Sequence, residues 1–208
     1  MYIPPAFEVE DPERLARFMV QNSFATLITQ DENGLPFASH VPLLYEPEPK
    51  PGLLLGHLAR ANTQWRHFEN QRDVLVIFHG PHAYISPRWY DSSPAVPTWN
   101  YAVVHAYGTP TVFTGENRLE ALVRQVVKFY EGDGENSWRA DLPPDFMSKQ
   151  LKAIVGFEIR LNRLEGKFKL GQNRQKEDII GTYNALNQSA RAEDRLLAEF
   201  MKDEGFVG

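Results

Sequence analysis

The chain has 208 residues, of which 42% are hydrophobic and none is cysteine, and its formal charge is -5 at pH 7. The size fits one domain with a real core. Without cysteine there can be no disulfides, thiolate metal sites or cysteine nucleophiles. The acidic balance gives no field that favours nucleic acid. No signal peptide and no apolar window long enough for a membrane span is indicated, so we expect a cytoplasmic protein.

The first half of the chain predicts one helix followed by short strands. Asp11 caps the helix, Pro12 takes its first position, and it ends near Asn22. Strands are predicted at 24–29, 35–45, 53–58 and 74–78, the first two joined by a turn. We expect a short helix after Asn62 or Thr63. We also expect a turn at Gly80–Pro81, with a returning strand over 83–86.

The second half predicts longer elements. Residues 98–113 read as one long strand, or as two strands joined at Gly108–Pro110. Thr114 caps the clearest helix, and a short helix, a strand over 154–164 and a helical tail follow. Strands joined by short turns, with helices inserted rather than alternating, predict a mainly β fold. We expect an antiparallel barrel with peripheral helices, in one domain over 1–208 with a helical tail over 174–208.

The stretch Tyr84–Gly108 holds six aromatic side chains in 25 residues, which is twice the chain's 12% aromatic content. Flat rings interleaved with hydroxyl, amide and imidazole groups suit a planar ligand with polar edges. They suit aromatic strands of a β core equally well. The stretch alone leaves both interpretations open.

Two strings carry cations beside amide side chains. GHLARANTQW, at 56–65, places Arg60 and Asn62 where a strand ends and a capped helix begins, which suits a phosphate. KFKLGQNR, at 167–174, suits an anion or the edge of a flavin. Each string is also compatible with an ordinary solvated surface.

Other chemistry finds little support. Ser39 and His40 are neighbours, but adjacent strand residues point to opposite faces and the chain has no G-x-S-x-G motif, which disfavours hydrolysis. The histidines lack H-E-x-x-H spacing, so we expect no metal site. Glycine-rich dinucleotide and P-loop motifs are absent as well.

Four strings taken together resemble the PaiB-type FMN-binding proteins, often labelled negative transcriptional regulators. They are MYIPPAF, GHLARANTQW, YISPRWY followed by VPTWNYAVVHAYG, and KLGQNR with Asp178 and Gly181 after it. The resemblance implies the FMN-binding split barrel, a Greek-key antiparallel barrel. It also implies a homodimer with FMN held between the subunits.

The resemblance assigns cofactor roles residue by residue. The implied FMN-binding residues are Ser39, His40, His57, Arg60, Asn62, Trp65, Thr98, Asn100, Lys169, Gln172, Asn173 and Arg174. The resemblance implies that Arg60 and Asn62 take the phosphate, that Ser39, His40 and His57 line the groove, and that the last four close over the cofactor. Thr98 and Asn100 face the flavin edge, with Trp99 turned into packing. The chain departs from the family strings at Thr63, where proline is expected, and at Gly171, where serine is expected.

The implied function is flavin-dependent redox chemistry or sensing, which would make the chain an FMN-dependent oxidoreductase if it turns over a substrate. The sequence assigns no catalytic residue. An alternative is a negative transcriptional regulator acting on DNA or through a partner, although the net charge does not favour direct DNA contact. A third possibility is a split-barrel protein that handles haem.

Overall fold

The structure is a computed structural model that describes residues 1–207. Within residues 1–207 there are eight strands: Glu8–Val9 (β1), Phe24–Gln30 (β2), Pro36–Pro42 (β3), Leu44–Glu46 (β4), Leu53–Ala59 (β5), Val74–Ile85 (β6), Thr98–Phe113 (β7) and Ile154–Lys169 (β8). The same residues form five α-helices: Pro12–Gln21 (α1), Glu116–Glu131 (α2), Pro144–Lys152 (α3), Lys176–Asn187 (α4) and Ala192–Asp203 (α5). Short 3₁₀ helices lie at Pro5–Phe7, Thr63–Asn70 and Pro87–Trp89.

The strands form one sheet in the order β3-β2-β6-β7-β8-β5-β4, and β1 pairs with β8 beside this path. Strands β1 to β5 all pair in antiparallel fashion. Together, β2 and β3 form the predicted hairpin, in which Asp31 Oδ1 accepts from two backbone N–H groups of the turn at 2.8 Å. The predicted class, mainly β with peripheral helices, is therefore confirmed.

The chain forms two compact units, and three strands run through both. The first unit comprises Met1–Phe18, His79–His105 and the chain from Glu165 onward. Its interior includes three aromatic rings, with Phe18 and Phe200 centred 4.9 and 5.2 Å from Phe168.

The second unit comprises Met19–Phe78 and Ala106–Leu164. Helices α2 and α3 cover part of it through a buried apolar cluster made of Leu44, Phe113, Leu119, Leu122, Ala140, Met147 and Leu151. The apolar stripe predicted along α2 supplies two of these side chains, as expected for a helix that packs one face on a core.

Gly80, expected at a turn, and Gly108, where two strands were one of the two predicted alternatives, both lie inside continuous strands. β6 runs straight through Gly80, where a Cβ atom would lie 2.6 Å from the ring of Phe18. β7 runs through Gly108, where a Cβ would lie 2.2 Å from the carbonyl oxygen of Arg160. Both glycines allow a close approach, which is the other common reason for glycine in a strand. The predicted turn at Gly80–Pro81 is wrong, and 98–113 is one strand.

Three other boundaries differ from expectation. The predicted strand 35–45 is interrupted at Leu43, whose N–H donates to Ser23 O at 2.9 Å. Helix α2 is capped by Gly115 rather than by Thr114, since Leu119 N donates to Gly115 O at 3.0 Å. The last strand, β8, continues five residues beyond the predicted end, to position 169.

Candidate functional site

The residues expected at a phosphate lie in the turn after β5, here called the Arg60 turn (residues 59–65). Asn62 Oδ1 accepts from Gln64 N at 3.0 Å, which makes Asn62 the cap of the following 3₁₀ helix, as predicted. Asn62 Nδ2 donates to Ser39 Oγ at 2.9 Å. One amide side chain therefore fixes the start of the helix and ties the turn to β3.

Arg60 is exposed, and two N–H groups of its guanidinium donate to backbone carbonyl groups. Its Nε donates to Lys152 O at 2.8 Å and its Nη2 donates to Ile154 O at 2.9 Å. Trp65 Nε1 donates to Arg60 O at 3.1 Å. A guanidinium carries five N–H donors, so the anchored side chain keeps donors for an anion. This preorganised cation is the chemistry that a phosphate requires.

The two predicted histidines of this region lie on strands. His40 is exposed on β3, and its Nδ1 lies 3.0 Å from Thr26 Oγ1. His57 is half-buried on β5, opposite Gly156. Burial lowers the pKa of His57, so its imidazole is neutral at pH 7 and adds no positive charge for a phosphate. Among the six predicted residues of the second unit, hydrogen bonds join Asn62 to Ser39 and Trp65 to Arg60.

In the first unit, four of the remaining predicted residues lie in what we call the Lys169 segment (residues 167–178), and Thr98 and Asn100 lie on β7. Lys169 Nζ donates to Thr98 Oγ1 and, at 2.7 Å, to Trp99 O. Burial lowers the pKa of Lys169, and the positive charges of Lys167 and Arg174 lower it further. The ammonium is thus engaged with β7.

Gln172 and Asn173 lie in the tight turn that follows β8. Gln172 Oε1 accepts from Leu170 N at 2.7 Å, and Gln172 Nε2 donates to Phe168 O. Asn173 is exposed. Gly171 has a φ of +98°, a backbone conformation that favours glycine over the serine of the family string. The amide of Gln172 therefore stabilises the turn itself.

Asp178, which the family strings include but to which the resemblance assigned no role, has a buried carboxylate that joins α4 to the loop after the third 3₁₀ helix. Asp178 is 1% exposed and accepts from Asp91 N at 2.9 Å, from Ser92 N at 3.0 Å and from Ser92 Oγ. The Ser92 hydrogen bonds hold the pKa of Asp178 below its usual value. Beside it, the Arg174 guanidinium lies 4.5 Å from the ring centre of Tyr90.

The faces of β7 are opposite to those expected around Trp99. Asn100 is only 3% exposed, whereas Trp99, expected to be turned into packing, is 51% exposed. Within the single chain Trp99 is therefore not packed away, and the assignment of Thr98 and Asn100 to the flavin edge stays a prediction. Alternation along a strand separates Thr98 and Asn100 from Trp99, but it does not say which set faces the interior.

On the outward side of β6 and β7 within the first unit lies a cavity of about 450 Å³, here called the aromatic groove. Its walls include His79, His82, Trp99, Tyr101 and His105. None of these five was among the predicted cofactor residues. The density of aromatic rings in residues 84–108 pointed to this part of the chain. It did not show which face of the strand would carry the exposed rings.

Known proteins resemble this chain both in sequence and in fold. A family model of the FMN-binding domain matches residues 1–163. The chain is 40% identical over 205 residues to "Protease synthase and sporulation protein PAI 2" of Bacillus subtilis, covering 98% of each chain. The chain belongs to the PaiB-type family of FMN-binding proteins. The suspected family is thereby confirmed.

Solved structures that resemble this family member share its fold. The flavocytochrome Anf3 from Azotobacter vinelandii superposes with a TM-score of 0.62 at 15% identity, over 79% of this chain and 70% of that one. The FAD and heme binding protein from Mycobacterium smegmatis gives 0.58 at 18% identity, over 83% and 78%. These likenesses confirm the split-barrel fold.

FMN, the predicted cofactor, is confirmed by the family. The side chains present fit it. An anchored arginine beside an amide and a hydroxyl suits the phosphate, and a groove of rings and imidazoles suits a flat heterocycle. In residues 1–207 no three His, Asp or Glu side chains are grouped so as to hold a metal ion. None of the helices described there is long and apolar enough to cross a membrane.

Proposed function

We propose that this PaiB-type flavoprotein is a homodimer that uses FMN for redox chemistry or for sensing. The observation that carries the proposal is the anchored guanidinium of Arg60, exposed beside Asn62 and Ser39. Bound FMN supplies one- or two-electron transfer, and the protein supplies orientation and electrostatics. Arg60 would hold the phosphate by charge-assisted hydrogen bonds.

The residues of the Lys169 segment have a different part in this proposal. Their cations and amides bond within the first unit, and they hold β7 and the loop at 90–92 in place. A rigid support of this kind keeps a neighbouring binding surface in one geometry. We therefore assign Lys169 and Gln172 to positioning, and Arg60 and Asn62 to binding.

The dimer is supported by apolar side chains that are exposed along β2 and β3. Phe24 is 69% exposed and Phe37 is 38% exposed. Leu35, just before β3, is 62% exposed. In the β2–β3 register Phe24 pairs with Pro42 and Phe37 with Thr29, so the two rings lie on opposite faces of the hairpin, and the proposed dimer surface is the face that carries Phe24. Sedimentation of the wild type and of Phe24→Asp tests this: a dimer that the substitution dissociates supports the assignment, and a monomeric wild type contradicts it.

The alternative, direct repression of transcription at DNA, is not favoured by the cations that would have to carry it. Lys167 is 8% exposed and its Nζ donates to Tyr2 O at 3.1 Å, while Lys169 bonds to β7. Phosphate-backbone binding needs cations that face solvent. The relative's name refers to protease synthesis and sporulation. We propose that any regulatory role of this chain acts through its flavin state or a partner protein.

The test begins with the visible spectrum of the purified protein and a titration with FMN. We expect saturable binding and a midpoint potential that differs from that of free FMN. No bound flavin and no saturable titration would sink the proposal. A sequence-selective mobility shift that persists at high salt would favour direct DNA binding, and a Soret band on adding haem would favour a haem protein.

A further inference from the structure

A cavity of about 300 Å³ lies in the second unit, at the end of the β2–β3 hairpin that carries the turn, and is here called the Arg72 cavity. Its lining includes the half-buried side chains of Ile28, Leu75 and Tyr107, and polar side chains from residues 67–73. None of the residues that the resemblance assigned to FMN lines it. The volume is at the lower end of the range usual for small-molecule sites.

The space exists because two neighbouring strands separate there. β2 pairs with β6 as far as Ile28 and Leu75, and then continues to Gln30 without further pairing to β6. The chain that leads into β6 turns at Gln71, whose φ of 53° is in the left-handed region that non-glycine residues rarely adopt. Backbone of this kind is common at binding sites, where the surrounding structure holds it.

The turn at Gln71 leaves two side chains with free hydrogen-bond donors at the cavity. Asn70 Oδ1 accepts from Arg72 N at 2.9 Å, so the Nδ2 group of Asn70 keeps its two N–H donors. The Arg72 side chain is exposed, and within residues 1–207 its guanidinium has no hydrogen-bond or ion-pair partner. A guanidinium with all five donors available can bind a carboxylate through two parallel hydrogen bonds.

A buried relay prepares His67 as a third donor. Thr29 Oγ1 accepts from Gln64 Nε2 at 3.2 Å and lies 2.8 Å from His67 Nδ1, whereas the other acceptor near it, Phe37 O, is 3.5 Å away. The Thr29 hydroxyl hydrogen therefore goes to His67 Nδ1. In the neutral imidazole the ring hydrogen is then on Nε2, which makes that atom a donor on a side chain that lines the cavity.

Asp73 limits the charge of the ligand that fits. It also lines the cavity, but Oδ1 accepts from Thr109 Oγ1 and Oδ2 accepts from Asn162 Nδ2, each at 2.8 Å. The carboxylate is thus held in place by its own partners. Because its repulsion of a ligand grows with the ligand's negative charge, a singly charged carboxylate fits the cavity better than a doubly charged phosphate.

We propose that the Arg72 cavity binds a small monocarboxylic acid with an apolar body. The carboxylate takes paired hydrogen bonds from Arg72, with N–H groups of His67 and Asn70 beside it. The body packs on the apolar part of the lining, which has room for a single ring. This ligand is additional to FMN, and its binding requires no flavin.

The test titrates the wild type, with and without FMN, with para-fluorobenzoate and follows the fluorine NMR line width. The uncharged probe of the same size is para-fluorobenzyl alcohol. We expect saturable binding of the acid, and Arg72→Met should weaken it about tenfold while leaving the alcohol unchanged. Arg66→Met is the matched control, since Arg66 is an exposed arginine of the neighbouring 3₁₀ helix that does not line the cavity. It should bind the acid as the wild type does.

A second variant tests the apolar part of the site. Leu75→Phe enlarges a side chain of the lining and should weaken both probes. No saturable binding of the acid to the wild type, or equal loss in Arg72→Met and Arg66→Met, would overturn the inference. Displacement of the acid by an equal concentration of inorganic phosphate would contradict the assigned ligand class.

The oligomeric state is controlled separately, because Ile28 lies on the face of β2 that carries Phe24, four residues and about 13 Å away. Dissociated Phe24→Asp should still bind para-fluorobenzoate. Loss of binding in that variant would mean that the site forms only between copies and would refute a cavity within one chain. A wild type that binds the probe but no FMN would refute the flavin proposal while leaving this one standing.

Discussion

The Arg60 turn and the Lys169 segment both carry cations beside amide side chains, but they use their hydrogen-bond donors differently. Arg60 is anchored by the carbonyl groups of Lys152 and Ile154 and remains exposed. Lys169 directs its ammonium at Thr98 and at the carbonyl of Trp99. Two strings of similar composition thus differ in function, because anchoring uses two of the five guanidinium donors of Arg60, whereas the ammonium of Lys169 is bonded to β7.

The comparison teaches that the partners of a cation decide its role more than its presence in a motif. A guanidinium has a rigid fork of donors, so it can be fixed by some of them and still bind with the rest. An ammonium is one compact group on a flexible chain, and fixing it uses its donors together. We therefore expect changes in the Arg60 turn to alter FMN affinity and changes around the Lys169 segment to alter stability.

The largest loss of stability is expected from a substitution of Gly181. This glycine lies on α4 in the first unit, against the backbone of Trp89. A Cβ atom at Gly181 would lie 2.1 Å from Trp89 O. Gly181→Ala should lower the free energy of unfolding by about 3 kcal/mol, since backbone must move. Gly115→Ala, where a Cβ has nothing within 4 Å, is the control and should cost less than about 1 kcal/mol. Urea denaturation measures both, and equal costs would mean that the contact at Trp89 is loose.

The second effect tests the Arg60 turn. Arg60→Met should weaken FMN binding about 30-fold, or roughly 2 kcal/mol, because charge-assisted bonds to the phosphate are lost. Riboflavin binding should not change. Arg66→Met, which removes an exposed arginine over the Trp65 ring, is the matched control. Equal loss of FMN and riboflavin, or equal loss in both variants, would place the phosphate elsewhere.

The third effect tests the other side of the comparison. Lys169→Met removes two hydrogen bonds from an ammonium and should lower the free energy of unfolding by about 1.5 kcal/mol. FMN affinity should fall less than in Arg60→Met. Lys176→Met, at an exposed position at the start of α4, is the control. If Lys169→Met keeps full stability but loses FMN as strongly as Arg60→Met, the two regions have the same role and the comparison fails.

Much of this architecture could be predicted from the sequence, because local rules decide it. Asp11 and Asn62 cap their helices as expected, and the Asp31 turn forms the hairpin of β2 and β3. These features depend on side chains bonding to backbone two to four residues away. The strand alternation around Trp99 was also readable.

What the sequence could not supply is the choice between two locally equal outcomes. Gly80 and Gly108 can turn a strand or admit a neighbour, and only the positions of Phe18 and the β8 backbone decide. The face of Trp99 that meets solvent depends on the sheet, and the bond from Ser92 to Asp178 joins residues 86 positions apart. Distant contacts of this kind leave no periodic signal.

The fourth effect concerns the cap of the Arg60 turn. Asn62→Ala removes the bonds to Gln64 N and Ser39 Oγ and should lower the free energy of unfolding by about 1 kcal/mol. Because the same turn positions Arg60, FMN binding should weaken while riboflavin binding holds. Asn70→Ala, at the exposed end of the 3₁₀ helix, is the control. Unchanged FMN affinity in Asn62→Ala would separate the cap from the phosphate site.

The smallest effect is the pH dependence that His57 adds beside the Arg60 turn. Burial lowers its folded pKa, whereas an unfolded histidine titrates near about 6.5. Between these two values the unfolded state binds more protons, so stability should fall as pH falls below about 6.5 towards the folded pKa. His57→Gln should flatten that slope, with His105 contributing the remainder, and His40→Gln at an exposed position is the comparison. Above pH 7 His57→Gln should bind FMN with the affinity of the wild type, because a neutral imidazole offers a phosphate no charge. A large loss of FMN affinity without a loss of riboflavin affinity would show that His57 contacts the phosphate, and that Arg60 is not the sole cation of its turn.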